Sequence, residues 1–251
     1  MSLFNVYPLY NVTPVKAKGL YVYDENNTEY LDLYGGHGVI SLGHTHPKYV
    51  DSITDQINKL GFYSNAIQNP LQKEFANKLV TISGCKNYEL FLCNSGAEAN
   101  ENALKLASFK TDKKRVIAFK NGFHGRTSAA VAATDNKNII APINAQQKVT
   151  ILDLNDIDAV KIELEKGDVC AVIVEFIQGV GGLDQATANF FKQVDKLCKE
   201  NKQAGIWLAV WVENQKGISF YKKMGFKKVG DFNFKISETH SNPNHILYLE
   251  F

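Results

Sequence analysis

The spacing of apolar residues predicts two kinds of element in the first third of the chain. The run GLYVYDENNTEYLDLYGG alternates apolar and polar residues on both sides of turn residues 24–27, which predicts a β-hairpin. In HPKYVDSITDQINKLG, apolar residues recur at helical spacing, which predicts a helix that ends at Gly61. The run NPLQKEFANKLVTISG predicts another helix, with Asn69 as its cap, Pro70 in its first turn and Gly84 at its end.

From Tyr88 onward, the pattern changes to strands that alternate with helices. The predicted strands are YELFLC, RVIAFK, KVTILDL and VCAVIVEF, and the predicted helices are GAEANENALKLASFK, DIDAVKIELEKG and TANFFKQVDKLCKENK. This alternation predicts an α/β fold with three layers and a mostly parallel sheet. Ligands of such sheets bind at the carboxyl ends of the strands, so the residues that follow each strand are the candidates for chemistry.

The composition narrows the possible partners and the compartment. The chain of 251 residues is 45% hydrophobic and 22% charged, with a formal net charge of +2, as in ordinary globular proteins. It has no basic run interleaved with aromatic residues, which predicts no nucleic-acid partner. It has no apolar run of membrane-spanning length, no signal-peptide pattern and no C-x-x-C spacing among its four cysteines. These features predict a cytoplasmic protein with reduced thiols, without a membrane partner and without a metal site.

The first candidate loop is CNSGAEANE, which follows the strand YELFLC. Ser95 is a favourable helix N-cap, and Glu98 completes a capping box three residues later, so both have a structural explanation. Gly96 is explained less well by capping alone. A glycine at a strand-to-helix turn lets an anion approach the unpaired N–H groups of the helix N-terminus. The loop therefore predicts either a plain cap or a phosphate site.

The second candidate loop, NGFHGRT, follows the strand RVIAFK. It places Phe123, His124 and Arg126 within four residues. Arg126 is one of only two arginines among 28 basic residues, the other being Arg115, and its planar guanidinium can grip a carboxylate through two hydrogen bonds. The alternative for Arg126 is a surface ion pair. His124 either contacts a ligand or bonds to nearby backbone.

The third candidate loop, IQGVGG, follows the strand VCAVIVEF. Glu175 lies near the end of this apolar strand, where a carboxylate needs a partner. Gln178 and three glycines then form a tight loop. It is either an ordinary turn or one wall of a cavity that the three loops share.

Taken together, these loops resemble one family. LFLCNSGAEANENALKLA, AFKNGFHGRT and VIVEFIQGVGG, preceded by LDLYGGHGVISLGHTHPKYVDSI and GFYSN, resemble the class III, fold-type-I aminotransferases that use pyridoxal 5′-phosphate. They are most similar to the acetylornithine or N-acyl-ornithine aminotransferases of arginine biosynthesis. The resemblance covers about residues 5–203. It implies an incomplete fold-type-I large domain, a small-molecule amino acid substrate and a homodimer.

The resemblance also implies roles for individual residues. Gly96 and Ala97 would donate backbone N–H groups to the cofactor phosphate, Phe123 would stack on the pyridine ring, and Arg126 would hold the α-carboxylate of the substrate. The implied cofactor-binding set as a whole is Ser95, Gly96, Ala97, Phe123, His124, Glu175 and Gln178. Val180 stands where many family members have a glutamate that is associated with handling two substrates.

Two further requirements of the family are not met after residue 203. The family uses an aspartate at the pyridine nitrogen, and Val212 falls at that position. The family also uses a lysine that forms a Schiff base with the cofactor. The lysines after residue 203 suit an exposed helix face, and none lies in the expected block. The sequence therefore predicts no catalytic residue, weak non-covalent cofactor binding and a truncated, inactive aminotransferase.

The C-terminal segment, about residues 206–251, resembles a different family. WLAVWVENQKGISFYKKMGFKKVGDF is similar to the closing segment of the GNAT N-acetyltransferases, and HILYLEF would be the last strand. This likeness implies that Asn214 lies near the pantetheine arm of acetyl-CoA and that Tyr221 acts as a general acid. However, FFKQVDKLCKENKQAG, just upstream, lacks the glycine-rich turn that binds pyrophosphate.

The sequence therefore predicts three regions and leaves three functions open. The regions are an N-terminal segment (residues 1–50), a partial large domain of a pyridoxal-phosphate transferase (51–203) and a GNAT-like fragment (204–251). The functions are an aminotransferase by descent, an acetyl-CoA-dependent N-acetyltransferase and a non-catalytic chimeric product.

Overall fold

The computed structural model describes residues 3, 6, 8–84, 88–201, 204–205, 227–235 and 241–248. The chain divides into two compact units, residues 1–70 and 71–251. The domain boundaries at residues 50 and 203 therefore stay predictions. None of the helices in the described part of the chain is long and apolar enough to cross a membrane.

The first unit contains a small antiparallel sheet and an amphipathic helix. Its elements are β1 (Pro14–Lys18), β2 (Tyr21–Asp24), β3 (Glu29–Leu31), the short turn α1 (Gly35–Gly38) and α2 (Pro47–Leu60). The predicted hairpin is confirmed, because β2 pairs antiparallel with β3. The Asp24 carboxylate fixes its turn by accepting the N–H groups of Asn26 and Thr28 at 2.9 and 2.8 Å. The predicted helix is also confirmed, and Gly61 is its C-cap.

The second unit alternates helices and strands. Its helices are α3 (Pro70–Ser83), which starts at the last residue of the first unit, α4 (Gly96–Thr111), α5 (Ser128–Ala132), α6 (Ile157–Glu165) and α7 (Ala188–Glu200). Its strands are β4 (Arg115–Phe119), β5 (Val149–Leu152), β6 (Val169–Val172), β7 (Ile177–Gln178), β8 (Asp184–Gln185), β9 (Ala204–Gly205), β10 (Lys227–Lys235) and β11 (Ser241–Tyr248).

A parallel sheet forms the centre of this unit, in the order β5-β4-β6-β9. Alternate residues of β4 point to opposite faces of the sheet. All five are buried, so both faces must be covered. Ile117 and Phe119 pack with buried residues of α6 and α7, whereas Val116 and Ala118 pack with buried residues of α4. The predicted three-layer α/β architecture is confirmed in the described residues.

The prediction of a strand at YELFLC is wrong. Residues 88–93 are irregular in the structure, and Tyr88, Phe91 and Leu92 are 59%, 59% and 46% exposed. An apolar run becomes a strand only when a neighbouring strand completes its hydrogen-bond ladder. No strand in the described residues pairs with this segment. Its apolar pattern was therefore not sufficient to define an element.

The structure describes only parts of the C-terminal segment. Strands β10 and β11 form an antiparallel pair, and β11 begins before the predicted strand HILYLEF. Val212, Asn214 and Tyr221, which the sequence singled out, lie outside the described residues.

A buried arginine ties together the amino ends of the parallel strands. The Arg115 guanidinium donates to Thr150 Oγ1 at 2.8 Å, to Glu163 Oε2 at 2.6 Å and to Asp168 Oδ1 at 2.7 and 2.9 Å. These partners lie on β5, on α6 and immediately before β6. One planar cation thus joins three strands and a helix, at the opposite edge of the sheet from the candidate loops.

Candidate functional site

The first loop begins α4 with a modified cap. Ser95 is extended (φ −154°, ψ 160°), and its Oγ accepts the N–H of Glu98 at 3.2 Å. In a regular capping box, the N3 carboxylate accepts the N–H of the cap residue itself. Here Glu98 Oε2 accepts the N–H of Asn94 instead, at 2.7 Å. The N-cap prediction is confirmed, and the capping-box prediction is corrected by one residue.

The start of α4 remains open to an anion. In the described part of the chain, no acceptor is bonded to the N–H of Gly96 or Ala97. A Cβ at Gly96 would meet no heavy atom within 4 Å among the described residues, so nothing in that part of the chain covers this position. Unpaired N–H groups at the positive end of a 16-residue helix attract anions.

The second loop packs directly on this turn. Gly125 has φ +133°, and a Cβ there would lie 2.6 Å from the Ala97 Cβ. Asn100 Nδ2 donates to the carbonyl of His124 at 2.7 Å, which fixes the loop to the next turn of α4. The structure thus brings the first two candidate loops together at the carboxyl end of β4.

Sequence reasoning missed the acid that holds the far end of this loop. Glu101 accepts the N–H groups of Ala129 and Ala130 at 2.9 and 3.0 Å and the hydroxyl of Thr127 at 2.8 Å, so it caps α5. One signal was available: Asn100 and Glu101 lie three and four positions after Ala97 and therefore share its helix face.

His124 is a buried imidazole with an unusual environment. The residue is 3% exposed, and its backbone N–H donates to Thr134 Oγ1 at 2.9 Å. Neither ring nitrogen has a hydrogen-bond partner among the described residues. Burial lowers the pKa of His124 to about 4, so the ring is neutral at pH 7. A neutral imidazole can donate one hydrogen bond to a bound ligand through its N–H and accept one through its other ring nitrogen.

The third loop is joined to the second by two hydrogen bonds. Glu175 Oε1 accepts the N–H of Phe123 at 2.8 Å, and Gln178 Nε2 donates to the carbonyl of Lys120 at 2.7 Å. A Cβ on Gly181 would lie 2.9 Å from the Asn121 Cβ, so a larger residue would push the loops apart. All three predicted loops therefore meet within the second unit.

The two arginines have different environments. Arg115 is 9% exposed and serves the ion-pair network at the amino ends of the strands. Arg126 is exposed, three residues after the half-buried Phe123. Its position next to the meeting point of the three loops is compatible with a substrate carboxylate.

The comparisons with known proteins match a part of the chain that includes all three loops. The family model for aminotransferase class III matches residues 5–207. An acetylornithine aminotransferase from Bacillus amyloliquefaciens is 41% identical over 218 residues, with 86% of this chain and 93% of the relative covered. The acetylornithine aminotransferase from Bacillus subtilis (strain 168) is also 41% identical over 218 residues, with 86% of this chain and 55% of the relative covered.

Solved structures show the same fold. The ornithine aminotransferase from Toxoplasma gondii ME49 is 27% identical with a TM-score of 0.73, over 81% of this chain and 50% of that one. The N-acetylornithine aminotransferase from Stenotrophomonas maltophilia K279a is 31% identical with a TM-score of 0.64, over 79% of this chain and 50% of that one. The chain thus spans about half the length of these two structures and of the Bacillus subtilis relative.

The predicted family is confirmed by these matches, and its members depend on pyridoxal 5′-phosphate. The matched segment contains the three loops that meet at the carboxyl ends of β4 and β6. The chain belongs to the class III aminotransferases.

Proposed function

We propose that this chain carries the phosphate-binding and ring-binding part of a pyridoxal-phosphate site, in an aminotransferase for N-acetylornithine or another N-acyl-ornithine. The close approach of Gly125 to Ala97 carries the proposal, because it places the Phe123 loop beside the open start of α4. The names of the relatives support the substrate class.

The residues present fit this cofactor. Its phosphate needs N–H donors and positive potential, which Gly96, Ala97 and the N-terminus of α4 supply, with the Ser95 hydroxyl in the same turn. Its aromatic ring needs an apolar face, which Phe123 supplies. Burial keeps His124 neutral, so this residue adds a hydrogen-bonding group without adding charge.

When bound, pyridoxal phosphate supplies the electron sink for amino transfer. The chain's own residues bind and orient the reactants. The start of α4 would hold the phosphate through its N–H groups, Phe123 would restrict the tilt of the ring, and Arg126 would draw the α-carboxylate of the substrate to the same edge of the sheet. Glu175 and Gln178 hold the loop that carries Phe123.

We further propose that this chain holds the cofactor without a covalent bond. Val212 stands where the family has an aspartate, and none of the lysines after residue 203 matches the family's lysine block. Borohydride treatment of the protein mixed with pyridoxal phosphate should leave no stoichiometric lysine adduct. A single lysine modified in full would contradict this part of the proposal.

Two variants of Gly96 test the phosphate site. Aspartate at this position should raise the Kd for pyridoxal phosphate by about tenfold or more relative to asparagine, because its carboxylate competes with the phosphate for the same N–H groups. The Cβ that both variants add meets none of the described atoms within 4 Å, and a carboxylate at a helix N-terminus does not weaken the helix. Fluorescence titration measures both values. Equal Kd values for Gly96→Asp and Gly96→Asn would contradict phosphate binding here.

Subunit pairing is a further proposal that rests on the family. Apolar side chains that include Tyr88, Phe91 and Phe109 are 59%, 59% and 75% exposed, which favours burial against a second copy of the chain. Analytical ultracentrifugation should show a dimer, and a monomer at all concentrations would contradict it.

The N-acetyltransferase and the non-catalytic chimera stay as second candidates for the C-terminal segment. The antiparallel pair of β10 and β11 is compatible with a closing segment rich in strands. Calorimetric titration with acetyl-CoA tests the N-acetyltransferase. Tight binding would favour that function, although the sequence upstream of the segment lacks the glycine-rich turn that binds pyrophosphate. Reading the genomic DNA across codons 200–210 tests the chimera, and two intact neighbouring reading frames would indicate a joining artefact.

A further inference from the structure

We infer that Glu175 is a positioning residue: it joins the loop after β6 to the loop after β4 and thereby sets the place of the Phe123 ring. The use of that ring against a cofactor rests on the proposed function. The contact that sets the loop is a property of the chain alone.

The first observation is the direct bond between the loops. Glu175 Oε1 accepts the backbone N–H of Phe123 at 2.8 Å. The bond is local to the ring, because it fixes the peptide group from which the Phe123 side chain projects. A second bond joins the same segments: Gln178 Nε2 donates to the carbonyl of Lys120, three residues before Phe123, at 2.7 Å. The loop between these two links is therefore held at both ends by one neighbouring segment.

The second observation is the space around Gly122. A Cβ at this glycine would lie 3.1 Å from His124 Nε2, 3.8 Å from Glu175 Oε1 and 2.8 Å from the carbonyl oxygen of Phe119. The carboxylate and the buried imidazole thus flank a position that is free only because the residue is glycine. A larger residue at position 122 would therefore crowd the Phe119 carbonyl and the His124 ring, next to the bond between Glu175 and Phe123.

The third observation is the electrostatic balance at the carboxylate. The pKa of Glu175 is raised, because burial of the carboxylate outweighs the backbone hydrogen bonds at Phe123 and Gly179, which lower it. The N–H of Phe123, at 2.8 Å, therefore offsets part of the cost of burying this carboxylate. A half-buried carboxylate that accepts an N–H of a neighbouring loop ties that loop to its own segment, because loss of the bond would leave a buried polar group without a partner.

Glu175 acts through Phe123 in this arrangement. Losing the acceptor should loosen the Phe123 peptide and tilt the ring, while the start of α4 keeps its N–H groups. Loss of the Glu175 acceptor should therefore weaken binding of the cofactor ring without weakening binding of its phosphate. That separation is not expected of a residue that only lines the site.

The experiment compares Glu175→Ala, Glu175→Gln and Glu175→Asp with the wild-type chain. Glutamine keeps an oxygen acceptor of the same length, aspartate draws the oxygens back by one methylene, and alanine removes them. Asp153→Asn is the matched control. It removes an exposed carboxylate that pairs at 2.7 Å with Lys120, which lies three residues before Phe123. Amide hydrogen exchange of Phe123 is measured in the free chain. Binding of pyridoxal phosphate and of inorganic phosphate is measured by fluorescence and by competition.

We expect Phe123 exchange to be about tenfold faster in Glu175→Ala and nearly unchanged in Glu175→Gln and Asp153→Asn. The Kd for pyridoxal phosphate should rise about fivefold in Glu175→Ala, while that for inorganic phosphate stays the same. Unchanged exchange in Glu175→Ala, or equal losses for both ligands, would overturn the inference. If the alanine variant does not fold, unchanged exchange in Glu175→Asp would overturn it.

The two proposals fail separately. If the wild-type chain binds no pyridoxal phosphate while Phe123 exchange still follows the acceptor at position 175, the proposed function is wrong and the positioning of Phe123 by Glu175 stands.

Discussion

Replacing Gly125 with alanine should destabilise the native state by about 2–5 kcal/mol and abolish binding of pyridoxal phosphate. Two effects add at this position. The backbone has φ +133°, which L-residues rarely adopt, and the new Cβ would lie 2.6 Å from the Ala97 Cβ and 2.9 Å from the Ala97 Cα. Relief of that overlap requires the Phe123 loop to leave the first turn of α4, and the proposed site depends on their contact.

Gly167 provides the matched control for this variant. It also has positive φ, +79°, but a Cβ there would meet nothing within 4 Å. Gly167→Ala should therefore lose only about 1–2 kcal/mol through backbone strain and should bind the cofactor as the wild type does. Urea unfolding followed by far-UV circular dichroism gives both stabilities. Equal losses in the two variants would show that the loop does not press on α4.

Replacing Arg115 with methionine should reduce the free energy of unfolding by about 1–3 kcal/mol, because it removes the hydrogen bonds that its guanidinium donates to Glu163 and Asp168. The loss stays below that of a fully buried pair, since Asp168 is 53% exposed and Glu163 keeps its ion pair with Lys166. The side chain of Arg115 is 11% exposed. Its guanidinium donates hydrogen bonds to residues on β5, on α6 and immediately before β6. Lysine should recover only part of the loss, since a single ammonium cannot reproduce the planar fork.

The same variant should change the pH dependence of stability. The pKa of Asp168 is lowered, first by its hydrogen bond to Arg115. A carboxyl group with a lowered folded-state pKa contributes stability above its unfolded pKa and loses it as pH falls through the folded value. Arg115→Met should therefore lose less stability than the wild type on acidification below about pH 4.

Lys120→Met, which breaks an exposed ion pair, should change stability by less than about 1 kcal/mol. Equal effects of the two variants would contradict a special role for Arg115.

Much of the fold could be predicted from local sequence signals. Helix α4 begins immediately after Ser95 and α3 begins at Pro70, because capping and proline chemistry act within one turn. The meeting of the loops after β4 and β6 follows from the rule that parallel strands end at the same edge of a sheet. The loop residues Phe123 and Glu175 could be singled out for that reason alone.

The remaining features depend on partners that are distant in sequence. YELFLC has the composition of a strand, but strand formation requires a neighbour, and the described residues supply none. Glu98 could bond either to the cap residue or to the residue before it, and the sequence does not distinguish these. The use of Arg115 depends on Glu163 and Asp168, 48 and 53 residues away, so the sequence alone did not assign it a role.

The most direct test of the proposed site observes the backbone amides of Gly96 and Ala97 by NMR in the ¹⁵N-labelled chain. On titration with pyridoxal 5′-phosphate, both resonances should shift and saturate, and Phe123 should shift with them. Pyridoxal without its phosphate should leave Gly96 and Ala97 unmoved. If these two amides do not respond to the phosphorylated cofactor, or respond equally to both compounds, α4 does not bind the phosphate and the proposed site is wrong.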